Sequence, residues 1–161
     1  MTREIISADP LAAAGAHVRW GELYGSSPAF FLAEAAATTP APLLAVTTSG
    51  READQILAEL AFFTAGKQSL WSFPDRETLP WDPFSPHPDL VSQRLRTLAA
   101  LPDLRQGLVV TTRAALLDRL PPRQFIEAHA FSLRSGDRID LPQLRKRLTD
   151  SGYAMVSQVL S

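Results

Sequence analysis

Between Trp71 and Leu95 the chain places five prolines, Pro74, Pro80, Pro83, Pro86 and Pro88, in the run WSFPDRETLPWDPFSPHPDLVSQRL. Each proline fixes φ, removes an N–H donor and pushes the preceding residue out of the helical region. The run therefore predicts an extended, semi-rigid loop, entered from the end of a buried strand at Leu70 to Phe73. Its aromatics Phe73, Trp81 and Phe84 are expected to bury, with Trp81 and Phe84 pinning the loop onto the domain beneath. On that expectation Trp81→Ala costs roughly 3–5 kcal/mol. Asp89 is expected to cap the helix that follows, whose inner face reads Val91, Leu95 and Leu98 at i, i+4, i+7.

The rest of the chain supplies the elements on which this loop is mounted. A helix is expected from about Leu11, then a turn-rich loop over Gly21 to Ser27. Ser27 is read as the cap of the next helix, with Pro28 at its first position and Phe30 to Ala37 buried. Leu43 to Thr47 is a short apolar run of the kind covered on both faces of a sheet. Ser49 and Glu52 form a capping box for a helix that presents Ala53, Ile56, Leu57, Leu60 and Phe63 on one face and stops at Gly66. Ser69 to Phe73 and Leu108 to Thr111 read as further strands. Thr112 is read as the cap of a short helix, with Ala115, Leu116 and Leu117 inside and Pro121 and Pro122 ending it. Strand and helix in alternation predict an α/β fold, a parallel sheet with helices on both faces.

From about Glu127 the rhythm changes. A strand at Ala130 to Leu133, a turn at Ser135 to Asp137, a capping box at Asp140 and Gln143, a helix with Leu141, Leu144 and Leu148 on one face, a stop at Gly152 and a last strand at Ala154 to Leu160 read as the start of a small α+β domain. The expected division is thus 1–126 and 127–161. A final strand with no partner after it is expected of a piece of a longer protein.

The absence of cysteine excludes disulfides, thiolate metal sites and a cysteine nucleophile. No apolar run approaches a membrane span, and the first residues lack the plan of a signal peptide, so a cytoplasmic protein is expected. The formal net charge is −1. It divides unevenly, with 5 Lys/Arg against 9 Asp/Glu in residues 1–80 and 11 against 8 in residues 81–161. The basic half reads either as a nucleic-acid footprint or as a solvated face on arginine-rich helices. Arg94 and Arg96, and the cluster Arg134, Arg138, Arg145, Lys146 and Arg147, carry that charge. His17, His87 and His129 lack ligand spacing, so no metal site is expected. The carboxylate pairs Asp75/Glu77 and Glu52/Asp54 read as solvated charges. Catalytic residues are expected to be none.

The stretch DRETLPWDPFSPHPDLVSQRLRTLAALP, from Asp75 to Pro102, resembles the amino-terminal, UvrB-like region of bacterial transcription-repair coupling factors (Mfd). So do GLVVTTRAALLDRLPP (Gly107 to Pro122), LRSGDRID (Leu133 to Asp140) and LRKRLTDSGYAMVSQVL (Leu144 to Leu160). The resemblance implies that residues 1–126 are a degenerate P-loop helicase-type domain and that 127–161 begin a domain that docks UvrA. In the intact family member it implies ATP-driven DNA translocation, with ATP and magnesium as cofactors and UvrA, RNA polymerase and duplex DNA as partners. For this piece it implies a scaffold, with no cofactor of its own and no enzymatic activity. UvrB has a long DNA-gripping hairpin that would lie between Phe73 and Asp89, where this chain has only the proline-rich loop. No UvrA-contact residue carries over to this chain.

UvrB also carries G-x-x-x-x-G-K-[ST], whose backbone N–H groups cradle phosphates, whose lysine meets the terminal phosphates and whose hydroxyl holds magnesium. In this chain Gly21 lies near the first glycine and Gly25 is retained. Ser27 stands at the second glycine, Pro28 at the lysine and Ala29 at the hydroxyl. Gly21, Gly25, Ser27, Pro28 and Ala29 thus read as a vestigial P-loop. The rival readings are a working ATPase or helicase half, and a DNA-binding module that uses the basic half.

Overall fold

A computed structural model describes residues 17, 19–78, 81–129, 135–150, 153 and 156. The first helix expected from Leu11 and the strands expected at 130–133 and 154–160 lie outside the described residues. The elements run α1 (Ser27–Thr38), β1 (Pro42–Thr47), α2 (Gly50–Thr64), β2 (Leu70–Phe73), α3 (Pro88–Ala100), a short 3-10 turn (Leu101–Asp103), β3 (Gly107–Thr112), α4 (Arg113–Leu117), α5 (Arg123–His129) and α6 (Leu141–Asp150). The strands form one parallel sheet in the order β1-β3-β2. Leu108 pairs with Leu43 on one side and Leu70 on the other; Thr111 pairs with Val46 and Phe73. The α/β class with a parallel sheet is as expected. The chain forms two compact units, residues 1–120 and 121–161, and the sheet lies in the first.

β3 is the centre because its sequence suits burial on both sides. All six residues of GLVVTT are buried, and β-branched side chains fill a pleated surface well. Alternate residues serve opposite faces. Leu108 and Val110 join Ala45, the alanines Ala29, Ala33 and Ala36 of α1, and Ala53 and Leu60 of α2. Small side chains let α1 and α2 approach the sheet and each other closely. Val109 turns the other way, into a cluster with Phe73, Ala115, Trp71, Leu98 and Leu104. Helices therefore cover both faces. Gly107 opens β3 with φ +127°, and a Cβ there would stand 2.4 Å from the Ser69 carbonyl oxygen. Only glycine fits that approach.

The first helix starts differently from expectation. Ser26, not Ser27, holds the N-cap position and makes no side-chain cap bond. Ser27 is the first helical residue, and its hydroxyl donates to the Tyr24 carbonyl at 2.7 Å. In α2 the expected box is half altered. The Glu52 N–H donates to Ser49 Oγ at 3.3 Å, but the Glu52 carboxylate reaches the Thr48 N–H and hydroxyl, at 2.9 and 2.7 Å. Asp140 caps α6 as expected, accepting from the Gln143 N–H at 3.1 Å.

Four expectations about burial are corrected. β1 is not covered on both faces: it is an edge strand, and Leu44 and Val46 are 57% and 50% exposed. α3 lies over β2, and nothing among the described residues covers β1 on that side. Within α3 the cap is His87, whose Nδ1 accepts from the Asp89 N–H at 3.3 Å. Its buried residues are Arg94 and Thr97, while Val91 and Leu95 are exposed. The inner face is rotated from the apolar stripe because two polar residues hold bonds there, to Pro74 and Ser72. In α4 only Ala115 is buried; Leu116 and Leu117 are exposed, because a helix this short turns a single residue inward. Last, Trp81 is 90% exposed and Phe84 78% exposed, so they do not pin the loop. No helix among the described residues is long and apolar enough to cross a membrane.

The exposure of Trp81 lowers the expected cost of removing it. Trp81→Ala should shift unfolding free energy by no more than about 0.5 kcal/mol, as for other surface substitutions. Chemical denaturation checks this, and a loss near 3 kcal/mol would contradict the exposed placement.

Candidate functional site

In open parallel sheets, ligands bind beyond the carboxyl ends of the strands. Here those ends are Thr47, Phe73 and Thr112. The groups beyond them are largely engaged with one another. Arg94, on α3, has a side chain only 7% exposed. Its Nη1 donates to the Pro74 carbonyl at 2.6 Å and its Nη2 to Asp118 Oδ2 at 2.8 Å. The guanidinium carbon lies 4.2 Å from the centre of the Phe73 ring. Arg76 Nε approaches the same Asp118 oxygen at 3.5 Å. Asp75 spans the gap to β3: one oxygen accepts from the Glu77 N–H at 3.1 Å, the other from the Thr112 hydroxyl at 3.2 Å. Thr112 Oγ1 also caps α4 by accepting the Ala115 N–H.

Burial presses the pKa of Arg94 down, and Asp118 opposes that fall. The group stays charged, since a guanidinium does not lose its proton in a protein. Three threonines close the same edge. Thr111 donates to the Phe73 carbonyl at 2.7 Å, Thr47 to the Thr111 carbonyl at 3.2 Å, and Thr97 to the Ser72 carbonyl at 2.5 Å. These bonds join β1, β2, β3 and α3. The sequence reading placed Arg94 on a solvated or nucleic-acid-facing surface and Asp75 among solvated charges. Both are structural ties. Arg96 lies with its guanidinium carbon 5.7 Å from the Trp71 ring centre.

The glycine loop stands before α1. Gly25 takes φ +58° and Glu22 takes φ +59°. The Tyr24 carbonyl accepts both the Ser27 N–H and the Ser27 hydroxyl. Pro28 is half-buried, and Ala29 is fully buried in the core beneath α1. The position that would carry a magnesium-binding hydroxyl therefore packs a methyl group against the core cluster. Glu22 puts a carboxylate in the loop, where a phosphate site gathers positive charge.

The remaining sequence candidates do not converge. His17 is exposed, His87 caps α3, and His129 ends α5. Among the described residues no group of three His, Cys, Asp or Glu is placed to hold a metal ion. Arg138, Arg145, Lys146 and Arg147 are exposed, and Arg134 lies outside the described residues.

The architecture is that of an α/β domain whose strand-end groups are tied to one another. No family model matches the chain. It is 35% identical over 140 residues to the transcription-repair-coupling factor of Escherichia coli, which covers 87% of this chain and 12% of that protein. It is 35% identical over 114 residues to that of Haemophilus influenzae, 71% of this chain and 10% of the relative. It is 30% identical over 128 residues to that of Staphylococcus aureus, 80% of this chain and 11% of the relative. The chain is thus similar to one segment of transcription-repair-coupling factors and spans only 10–12% of the length of these relatives.

Two predictions follow from the strand-end groups. Arg94→Ala leaves Pro74 and Asp118 without their partner and uncovers Phe73; it should cost about 2–4 kcal/mol, and Arg94→Lys should recover little of that because a point charge cannot replace the fork. A loss below about 1 kcal/mol in urea unfolding would show that the edge does not depend on this group. Thr48 holds the Glu52 carboxylate below its ordinary pKa of 4.5 through its hydroxyl and its N–H. A depressed carboxylate stabilises the fold fully above its unfolded pKa, and the contribution is lost as pH falls through the folded value. Melting temperature between pH 6 and pH 3 should therefore fall less steeply in Glu52→Gln than in the parent. Parallel curves would refute this role.

Proposed function

We propose that this chain is the amino-terminal piece of a transcription-repair coupling factor, and that its α/β unit is a scaffold without enzymatic activity. The observation that carries the reading is the glycine loop. Pro28 and Ala29 replace the two residues whose side chains a phosphate loop needs, and Ala29 packs into the core. A lysine or a hydroxyl does not project from those positions, so the loop lacks the groups that meet terminal phosphates and magnesium. The names of the relatives support a place in DNA repair coupled to transcription. On this reading ATP hydrolysis, with ATP and magnesium as cofactors, belongs to other parts of the longer protein. RNA polymerase, duplex DNA and UvrA are partners of that whole, and the cytoplasm is its location.

Calorimetric titration with Mg-ATP tests the reading. The proposed scaffold gives no heat of binding. Micromolar binding would show that the loop from Gly21 to Ala29 holds phosphate by other means, and the ATPase reading would replace this one.

A further inference from the structure

The sheet has two outer edges, β1 and β2, and the chain guards them unequally. β2 is four residues long and runs into Pro74. The Ser72 carbonyl accepts from Thr97 and the Pro74 carbonyl from Arg94, so α3 is tied along that strand. Shortness, a proline and covering groups are how proteins keep an edge from pairing. β1 has little of this. It is six residues long, PLLAVT, with a proline only at its first position and no charged residue. It pairs with β3 on one side along its whole length, from Pro42 to Thr47. On the other side alternate backbone N–H and C=O groups point outward, as at any sheet edge. Leu44 and Val46 are exposed on the face that α3 leaves open, in line with Val109 and Thr111 of β3. A parallel strand this apolar is ordinarily enclosed.

An edge of this kind is completed by another strand. A second copy of β1 meets it without conflict. The strand carries no charge, so no like charges face each other when it pairs with itself. Residues directly opposite in an antiparallel pair share a face. A two-fold axis through Ala45 therefore sets Leu44 opposite Val46 of the second copy, and Val46 opposite its Leu44. The exposed apolar side chains of both copies then join in one patch. The small Ala45 meets its own copy on the covered face. No other two-fold register sets the two exposed residues against each other. Because the contact is isologous, the pair uses up both open β1 edges and closes at two chains. Six residues of strand span about 20 Å. A contact along one such strand is smaller than the standard interface of about 1,600 Å², so the association is weak.

We propose that β1 is a self-association edge: two copies of this chain pair their β1 strands antiparallel about Ala45 and extend the sheet across the two-fold axis. The proposal is independent of the nucleotide question, because it uses the open side of β1 and not the strand ends closed by Arg94.

The test is sedimentation velocity of the 161-residue chain over a range of concentrations. The mass should rise from one chain to two with a dissociation constant of about 10–100 µM. Leu44→Lys puts a charge in the middle of the pairing and should raise that constant about tenfold or more. Leu44 is exposed, so the melting temperature should hold and show that the variant is folded. Disulfide trapping reads the register, since the chain has no cysteine of its own. Opposite residues stand about 4.5–5.5 Å apart, within reach of a disulfide. Residue 44 and its own copy stand on the diagonal, about 7–8 Å apart, beyond that reach. A mixture of the Leu44→Cys and Val46→Cys chains should therefore cross-link on mild oxidation, and each alone should cross-link little. A single-chain mass at about 1 mM would overturn the proposal and leave the edge to a strand of different sequence. So would unchanged association in a folded Leu44→Lys, or equal cross-linking in the mixture and in the single variants.

Discussion

The fold of the first unit depends on one buried cation. Arg94 sits under the proline-rich loop with its guanidinium against Phe73, one nitrogen on the Pro74 carbonyl and another on Asp118. A buried guanidinium must find partners for its donors or the desolvation is uncompensated. Arg94 finds them in the residue that ends β2, the residue that begins the loop and the residue that follows α4. These contacts orient α3 on the sheet, fix where the loop departs and hold the end of α4. The threonine bonds from Thr47, Thr97 and Thr111 repeat the same device along the strand ends.

That arrangement bears on function. The carboxyl edge of an open parallel sheet is where ligands bind. In this chain the charged groups of that edge neutralise each other, and the α2 N-terminus already holds Glu52 through Thr48. The glycine loop before α1 turns its carbonyl at Tyr24 toward Ser27 and its alanine at 29 into the core. An edge closed in this way fits the proposed scaffold role. The exposed Trp81 and Phe84 stand outside the packing of the unit.

How much of this was legible depended on whether apolar spacing decides the element. α2 was legible because Ala53, Ile56, Leu57, Leu60 and Phe63 repeat at helical spacing behind Ser49. β3 was legible because a short β-branched run has few other uses. α3 was found, but its inner face was misassigned, because periodicity counts apolar residues and here Arg94 and Thr97 face inward. No local pattern announces that Arg94 pairs with Asp118, 24 positions away. β1 was read as doubly covered because its composition matches β3; only the strand order shows it at an edge. Trp81 and Phe84 were expected inside because large aromatics usually bury, and the prolines that hold their loop away do not reveal its direction. α1 was legible from Pro28 at its start and the alanine-rich run behind it, of which Ala33, Ala35 and Ala36 are buried.

Residue-resolved amide hydrogen exchange tests the central claim most directly, because it reads which elements open together. If Arg94 ties α3 to the sheet, the amides of Leu95 to Leu98 should share the slow exchange of Leu108 to Thr111, while that of the exposed Trp81 exchanges freely. Exchange in that turn of α3 orders of magnitude faster than in β3 would mean that the helix opens alone, and that the buried guanidinium does not hold the unit together.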